Sequence, residues 1–277
     1  MSMSAVRGYL RQDRLPHIWC PGCGNGIVLG ALVRAIDAAG LDRERIAVVS
    51  GIGCSSRATT YLDFDTLHTT HGRALAFATG LKLARPDLKV LVLTGDGDLA
   101  AIGGNHFIHA ARRNLDLTCV CFNNSIYGMT SGQYSPMTPK GMLASTAPYG
   151  HIERAFDLCD LARASGATYV ARSTAYHTRH LIEHLTKAMT HEGFAFVEVV
   201  TQCPVYYGRK NRMGSPADML RWQRDHAITV SAAKKLGPDR AAGKILIGEF
   251  VSLKEPEYTS EYRRLVLELQ ERKGGQR

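Results

Sequence analysis

The 277-residue chain has no apolar run near the roughly 20 residues that cross a bilayer as a helix, so a helical membrane protein is not expected. Its first residues, MSMSAVRGYLRQDR, lack the apolar core of a secretory leader, and the expected compartment is the cytoplasm. There is no internal repeat and no low-complexity tract, which sets aside solenoids and disordered arrays. Neither a Walker A loop nor a G-x-G-x-x-G fingerprint occurs, which argues against the common nucleotide folds. Acidic residues are the scarcer sign: 25 against 34 Lys and Arg leave a net charge of +9. No arginine-aromatic cluster or helix-turn-helix pattern accompanies that charge, so nucleic acid is not the expected partner. An acidic protein or an anionic cofactor suits it instead. The seven cysteines are an odd number, and without an export signal they read as free thiols or ligands rather than disulfides.

What is present is alternation. Short β-branched runs at 45–50, 88–94, 117–122, 168–173 and 194–200 are separated by helical patterns at 25–39, 71–85, 99–113, 151–166 and 177–191. Near-continuous apolar strands between helices predict an α/β fold: a three-layer arrangement of a parallel sheet with helices on both faces. The pattern changes after Pro204. We expect a domain over 1–205 and a C-terminal helical extension over 206–277, with helices near 217–235 and 258–273.

WCPGCGNGI, residues 19–27, pairs Cys20 with Cys23 just before a helix. Alone, the pair fits half a metal site, half a redox dithiol or chance. In a parallel sheet, strand ends and the following helix starts share one edge, where ligands bind. Cys54 follows the first strand and Cys203 follows the 194–200 strand, so four cysteines distant in sequence converge on that edge. Four thiolates suit zinc or an iron–sulfur cluster. Cys119, Cys121 and Cys159 fall inside a strand or on an apolar helical stripe and read as core.

A second signal lies on the same edge. One strand ends in Gly95-Asp96-Gly97-Asp98 and the next in Asn123-Asn124. Asp96 offers a carboxylate oxygen, Asn124 an amide oxygen and Ile126 a backbone carbonyl, a donor set for Mg2+ completed by diphosphate oxygens and water. Glycines let the backbone approach phosphate, and helix N-termini favour its charge.

These residues carry a resemblance. GDGD followed by NN about thirty positions on is the thiamine diphosphate signature. WCPGCGNG, GIGCSSR, LHTTHGRALAFATGLK and NNSIYGMTSGQYSPMT together resemble the β subunit of 2-oxoacid:ferredoxin oxidoreductases, most of all the 2-oxoglutarate branch, over residues 17–210. The resemblance implies a thiamine diphosphate-binding fold carrying one [4Fe–4S] cluster on Cys20, Cys23, Cys54 and Cys203. It places the cofactor against Gly95, Asp96, Gly97, Asp98 and Asn124, and against Gly53, Cys54, Ser55 and His71; Tyr127, just after the asparagines, packs either on the cofactor or equally in the core. It implies coenzyme A-dependent oxidative decarboxylation of a 2-oxoacid, with electrons passed to ferredoxin, in either direction. It also implies an α subunit, in a heterodimer or a dimer of heterodimers, because the family's proton-removing glutamate comes from another domain. About seventy residues follow Cys203, too few for a second such domain.

Other residues have competing readings. His71 is a cofactor contact by resemblance, whereas a histidine before a helix is otherwise a surface or capping group. Arg57 suits a substrate carboxylate, or equally an acidic neighbour. Arg209, Lys210 and Arg212 form either a solvated run or a docking face for an acidic ferredoxin. A pyruvate-specific member of the family, or a non-redox thiamine-dependent decarboxylase subunit whose cysteines hold zinc or nothing, are the alternatives.

Overall fold

A computed structural model describes residues 6–274. The strands, in chain order, are Ile46–Ser50 (β1), Asp65–His68 (β2), Lys89–Gly95 (β3), Thr118–Asn123 (β4), Ile126–Tyr127 (β5), Gln133–Tyr134 (β6), Tyr169–Thr174 (β7), Ala195–Val200 (β8), Ala227–Thr229 (β9) and Ile245–Ser252 (β10). Eight of them form one sheet in the order β2-β1-β3-β4-β8-β7-β10-β9, while β5 and β6 make a separate hairpin just past β4. The six strands from β2 to β7 run parallel, and β10 joins antiparallel to β7.

The helices are Asn25–Ala38 (α1), Ala74–Ala84 (α2), Gly104–Arg112 (α3), Leu158–Ala164 (α4), Thr178–Thr190 (α5), Pro216–His226 (α6), Val230–Leu236 (α7) and Tyr258–Gly274 (α8). The period-2 alternation of the strands sends side chains to two cores. Val48, Leu91 and Leu93 pack with Leu32 and Ile36 of α1 and Leu185 of α5. Val49, Val90 and Val92 pack on the other face with Leu75 of α2, Phe107 of α3 and Leu158 of α4. Both faces of the central strands β1, β3, β4, β8 and β7 are thus dry, as the unbroken apolar runs predict. No helix among the described residues is long and apolar enough to cross a membrane.

The three-layer expectation stands, and three details within it differ. The predicted helix over 151–166 is confined to Leu158–Ala164, because the first capping side chain is Asp157, which accepts the backbone N–H of Asp160. The 99–113 stretch opens as a π turn over Asp98–Ile102 before α3 begins. The DTLH segment, too polar to read as a strand, forms the exposed edge strand β2.

The expected helical extension is corrected. Residues after 205 add β9 and β10 to the main sheet, so no boundary of the sheet falls at 205/206. The predicted 217–235 helix breaks after His226, where Ala227–Thr229 extends beside β10 and the Thr229 hydroxyl then caps α7. Covering the β7 edge removes an open ladder of backbone groups, a physical reason for this arrangement.

Candidate cofactor and thiolate site

The carboxyl ends of β1, β3 and β4 surround a cavity of about 350 Å³. Its walls include Gly53, Cys54, Ser55, His71, Gly95, Asp96, Gly97, Asp98, Asn124, Ile126 and Tyr127, so these sequence-predicted contacts come together. Asp96 is almost fully buried, and burial pushes its carboxyl up to about 7 against the opposing hydrogen bonds from Ser135 and the N–H groups of Asp96, Asn124 and Gly97. A cation beside a carboxylate buried this deeply would offset the cost of its charge. The Ser135 hydroxyl donates to Asp96 Oδ2 at 2.5 Å. Asn124 accepts the Ile126 N–H through Oδ1 at 3.1 Å, which turns the chain so that Asn124 and Ile126 face the same cavity. Its neighbour Asn123 points elsewhere, donating to buried Glu198 at 2.6 Å.

Gly97 has no room for a side chain, since a Cβ there would overlap the Tyr127 ring; the Tyr127 hydroxyl donates to the Gly97 carbonyl at 3.1 Å. Burial, with the charges of Asp96 and Asp98, raises the Tyr127 phenol to about 12, so it stays a donor.

Asp98 has a different part from Asp96. Its carboxylate accepts the N–H of Gly72 at 2.7 Å, the N–H of Ile52 at 3.3 Å and the Thr94 hydroxyl at 2.9 Å, and lies 2.7 Å from His71 Nδ1. It ties the GIG loop and the His71 loop to the end of β3. A Cβ on Gly51 would collide with this carboxylate. His71 is thereby held at the cavity wall, its ring edge-on to Tyr127 with centroids 5.9 Å apart.

The four cysteines predicted to converge do so. Burial raises the Cys23 thiol to about 12, with the charges of Cys203, Cys54 and Cys20 adding to the effect. Burial likewise raises Cys54 to about 11, with Cys203 and Cys20 adding and Arg57 opposing. A Cβ built on Gly128 would meet Cys54 Sγ at 3.4 Å and Cys203 Sγ at 3.6 Å. The backbone is braced around them. Gly24 N–H donates to the Gln202 carbonyl at 3.1 Å, Gln202 Nε2 donates to the Gly22 carbonyl at 3.1 Å, and Trp19 Nε1 donates to the Cys54 carbonyl at 2.6 Å. A bound metal would draw such half-buried thiols into the thiolate form.

The spacing bears on which metal they suit. Among the described residues, no three of these sulfurs lie mutually within 4.8 Å. A tetrahedral zinc with Zn–S near 2.3 Å needs sulfurs about 3.8 Å apart. Thiols arranged around a wider space fit a multi-iron cube better. Cys119, Cys121 and Cys159 are fully buried core residues, as expected.

Arg57 is not brought to the cofactor cavity. It is exposed and lines a separate polar depression with Arg11, Arg14 and His68. Arg209, Lys210 and Arg212 are exposed on the segment that follows Cys203 through a π turn over Pro204–Gly208. Sequence reasoning missed Ser135, Gly128 and Gln202. Nothing in their spacing marks them, because each acts through a partner far along the chain.

The family described as the thiamine pyrophosphate enzyme C-terminal TPP-binding domain matches residues 51–199. The chain is 56% identical over 261 residues to 2-oxoglutarate synthase subunit KorB of Methanocaldococcus jannaschii, covering 94% of this chain and 97% of that one. It is 47% identical over 188 residues to 2-oxoglutarate oxidoreductase subunit KorB of Mycobacterium tuberculosis, covering 68% of this chain and 50% of that one. Its structure is similar to that of a 2-oxoglutarate:ferredoxin oxidoreductase from Magnetococcus marinus with 2-oxoglutarate, coenzyme A and succinyl-CoA bound. The TM-score is 0.86 at 37% identity, over 98% of this chain and 92% of that one.

Proposed function

Because this chain belongs to the family of 2-oxoacid:ferredoxin oxidoreductase β subunits, in its 2-oxoglutarate synthase branch, we propose that it carries the thiamine diphosphate of an enzyme that converts 2-oxoglutarate, coenzyme A and oxidised ferredoxin to succinyl-CoA, CO2 and reduced ferredoxin. One observation carries the reading: Cys54 belongs both to the wall of the cofactor cavity and to the four-thiol group.

Thiamine diphosphate, when bound, supplies the electron sink for decarboxylation. The residues of this chain hold and orient it. Asp96, Asn124 and the Ile126 carbonyl are the Mg2+ ligands. The Gly95–Asp98 turn takes the diphosphate, and Gly53, Ser55 and Tyr127 close around it. His71, fixed by Asp98, is the polar group at the wall. Asp98 itself is a positioning residue.

Cys20, Cys23, Cys54 and Cys203 are the ligands of one [4Fe–4S] cluster. The width of the thiol group supports a cluster over zinc. Arg57 lies beside Cys54 rather than in the cavity, so its charge bears on the cluster more directly than on a substrate carboxylate. The exposed Arg209, Lys210 and Arg212 lie close in sequence to a cluster ligand and offer an acidic ferredoxin a docking face. An α subunit completes the active site, as a heterodimer or a dimer of heterodimers. The reducing cytoplasm suits the free cysteines.

The test is anaerobic co-purification with the α subunit, followed by metal analysis and ferredoxin reduction. We expect iron and sulfide in this chain, and reduction that depends on 2-oxoglutarate and coenzyme A. Asp96→Ala is expected to abolish Mg2+-dependent cofactor binding while leaving iron in place. Zinc instead of iron, or full iron content in Cys203→Ser, would remove the cluster assignment. Turnover with pyruvate but not 2-oxoglutarate would favour the pyruvate-specific alternative.

A further inference from the structure

Helix α5 contains His180-Leu-Ile-Glu-His184, away from the cofactor cavity and on the sheet face it shares with α1. Positions i and i+4 share a helix face, and the two Nε2 atoms lie 3.1 Å apart. The other nitrogen of each ring is already engaged. His180 Nδ1 is 2.9 Å from the Ser173 hydroxyl, and His184 Nδ1 is 2.9 Å from the Tyr169 hydroxyl. Ser173 and Tyr169 are both on β7, so the strand fixes the orientation of both rings.

An imidazole anchored through Nδ1 to an oxygen, with Nε2 left free, is the outer-shell arrangement of metal-bound histidine. The Tyr169 hydroxyl can donate to the His184 carbonyl at 3.5 Å, which leaves its oxygen free to accept from His184 Nδ1–H. In that tautomer the two Nε2 lone pairs face each other, an arrangement that a cation between them stabilises. An ion at 2.0–2.1 Å from both nitrogens would subtend an angle of about 98°, between octahedral and tetrahedral values.

Both rings have pKa values below the ordinary imidazole value, mainly through burial, so they are neutral as ligands must be. Glu183 lies between them in sequence, its charge acts on both rings, and its carboxylate is held by Lys187 at 2.9 Å on the exposed side. A His-x-x-Glu-His run on a helix is a known way to hold zinc.

We propose that His180 and His184 bind one divalent transition-metal ion of the zinc class through their Nε2 atoms, with water completing the shell and the nearby Glu183 charge favouring the cation. The ion would lock both rings in the orientation in which they hydrogen-bond β7, and lies outside the chemistry of the cofactor site.

The probe is zinc(II) alone, added by equilibrium dialysis to the full-length chain in complex with its α subunit. X-ray absorption at the zinc edge separates imidazole nitrogen from thiolate sulfur, which keeps binding to the four cysteines distinguishable. We expect one nitrogen- and oxygen-ligated zinc per chain and a rise in thermal midpoint. His180→Ala, at a half-exposed position that tolerates truncation, is expected to lower affinity at least tenfold and abolish that rise. Ser173→Ala is expected to cost about tenfold through loss of ring orientation. A sulfur-only zinc shell, or zinc affinity and stoichiometry unchanged in His180→Ala, would show that the pair is a histidine–histidine hydrogen bond and not a metal site.

Discussion

Gly128 separates the thiol group from the cofactor cavity, and the distances around it decide which side chains fit. A single methyl would sit at ordinary van der Waals contact with Cys54 and Cys203. Gly128→Ala is therefore expected to retain its iron. Gly128→Val adds two further methyls that must enter either the thiol space or the cavity, and we expect most of the iron to be lost. Iron per chain and absorbance near ~400 nm read this directly; equal iron in both variants would mean that the cluster does not abut this residue.

At the same scale, Asp96 and Asn124 were legible because each ends an apolar strand in a turn of polar and glycine residues. The division of labour between Asp96 and Asp98 was not. Asp98 is identified as an anchor by the N–H groups of Ile52 and Gly72, which belong to other loops and leave no trace in local spacing. Ser135 supports Asp96 from 39 positions away, for the same reason unseen.

Among the elements, the six parallel strands that hold the site were foreseeable, apart from β2, from their apolar β-branched runs. So were α1 and α5, whose periodic faces are long. Elements stabilised by what they pair with were not: β9, β10 and the polar edge β2 become strands through neighbours already in the sheet.

An ion-pair group joins α2 to the β3–β4 region. Lys82 is buried near the end of α2, 2.7 Å from Asp116, and Lys89 of β3 is 3.3 Å from the same carboxylate. Burial alone would raise the Asp116 carboxyl, but Lys89, Lys82 and the Gly193 N–H outweigh it and hold the carboxyl below its ordinary value. A depressed folded-state pKa contributes stability that is present above the unfolded value of about 4 and is lost as pH falls through the folded value. We expect unfolding free energy, measured by denaturant titration, to decline below about pH 4, and Asp116→Asn to flatten that decline. Lys82→Met, which removes one of two cations, is expected to cost up to about 3 kcal/mol at neutral pH. An unchanged acid limb in Asp116→Asn would assign the loss to other carboxylates.

At the scale of the whole molecule, some of the large apolar side chains left exposed lie on or near the rim of the cofactor cavity. Tyr149 is fully exposed, Ile152 is 81% exposed, and Ile52 and Met129 project at the mouth of the cofactor cavity. The loop bearing Tyr149 is tied to Gly132, beside the cavity-lining Gln133, by the Ser145 N–H. Exposed apolar side chains at the rim of a cavity are a usual mark of a protein interface. We expect the α subunit to cover it, slowing amide exchange over 51–54 and 141–156 when the two chains are mixed. Unaltered exchange there, with protection elsewhere, would move the interface to another face.

The order of strands also has a consequence for biosynthesis. Cys203 follows β8, and β8 lies between β4 and β7, so its neighbours must both be made before it can dock. At about 5–20 residues per second, Cys203 leaves the ribosome roughly 7–30 s after Cys54. Through that interval the nascent chain displays Cys20 and Cys23 as an incomplete pair, open to any soft cation it meets. The complete four-thiol group cannot exist before Cys203 has emerged. Loading of this site is therefore a maturation step, and a chain cut short before β8 could be translated, and even partly folded, yet never matured.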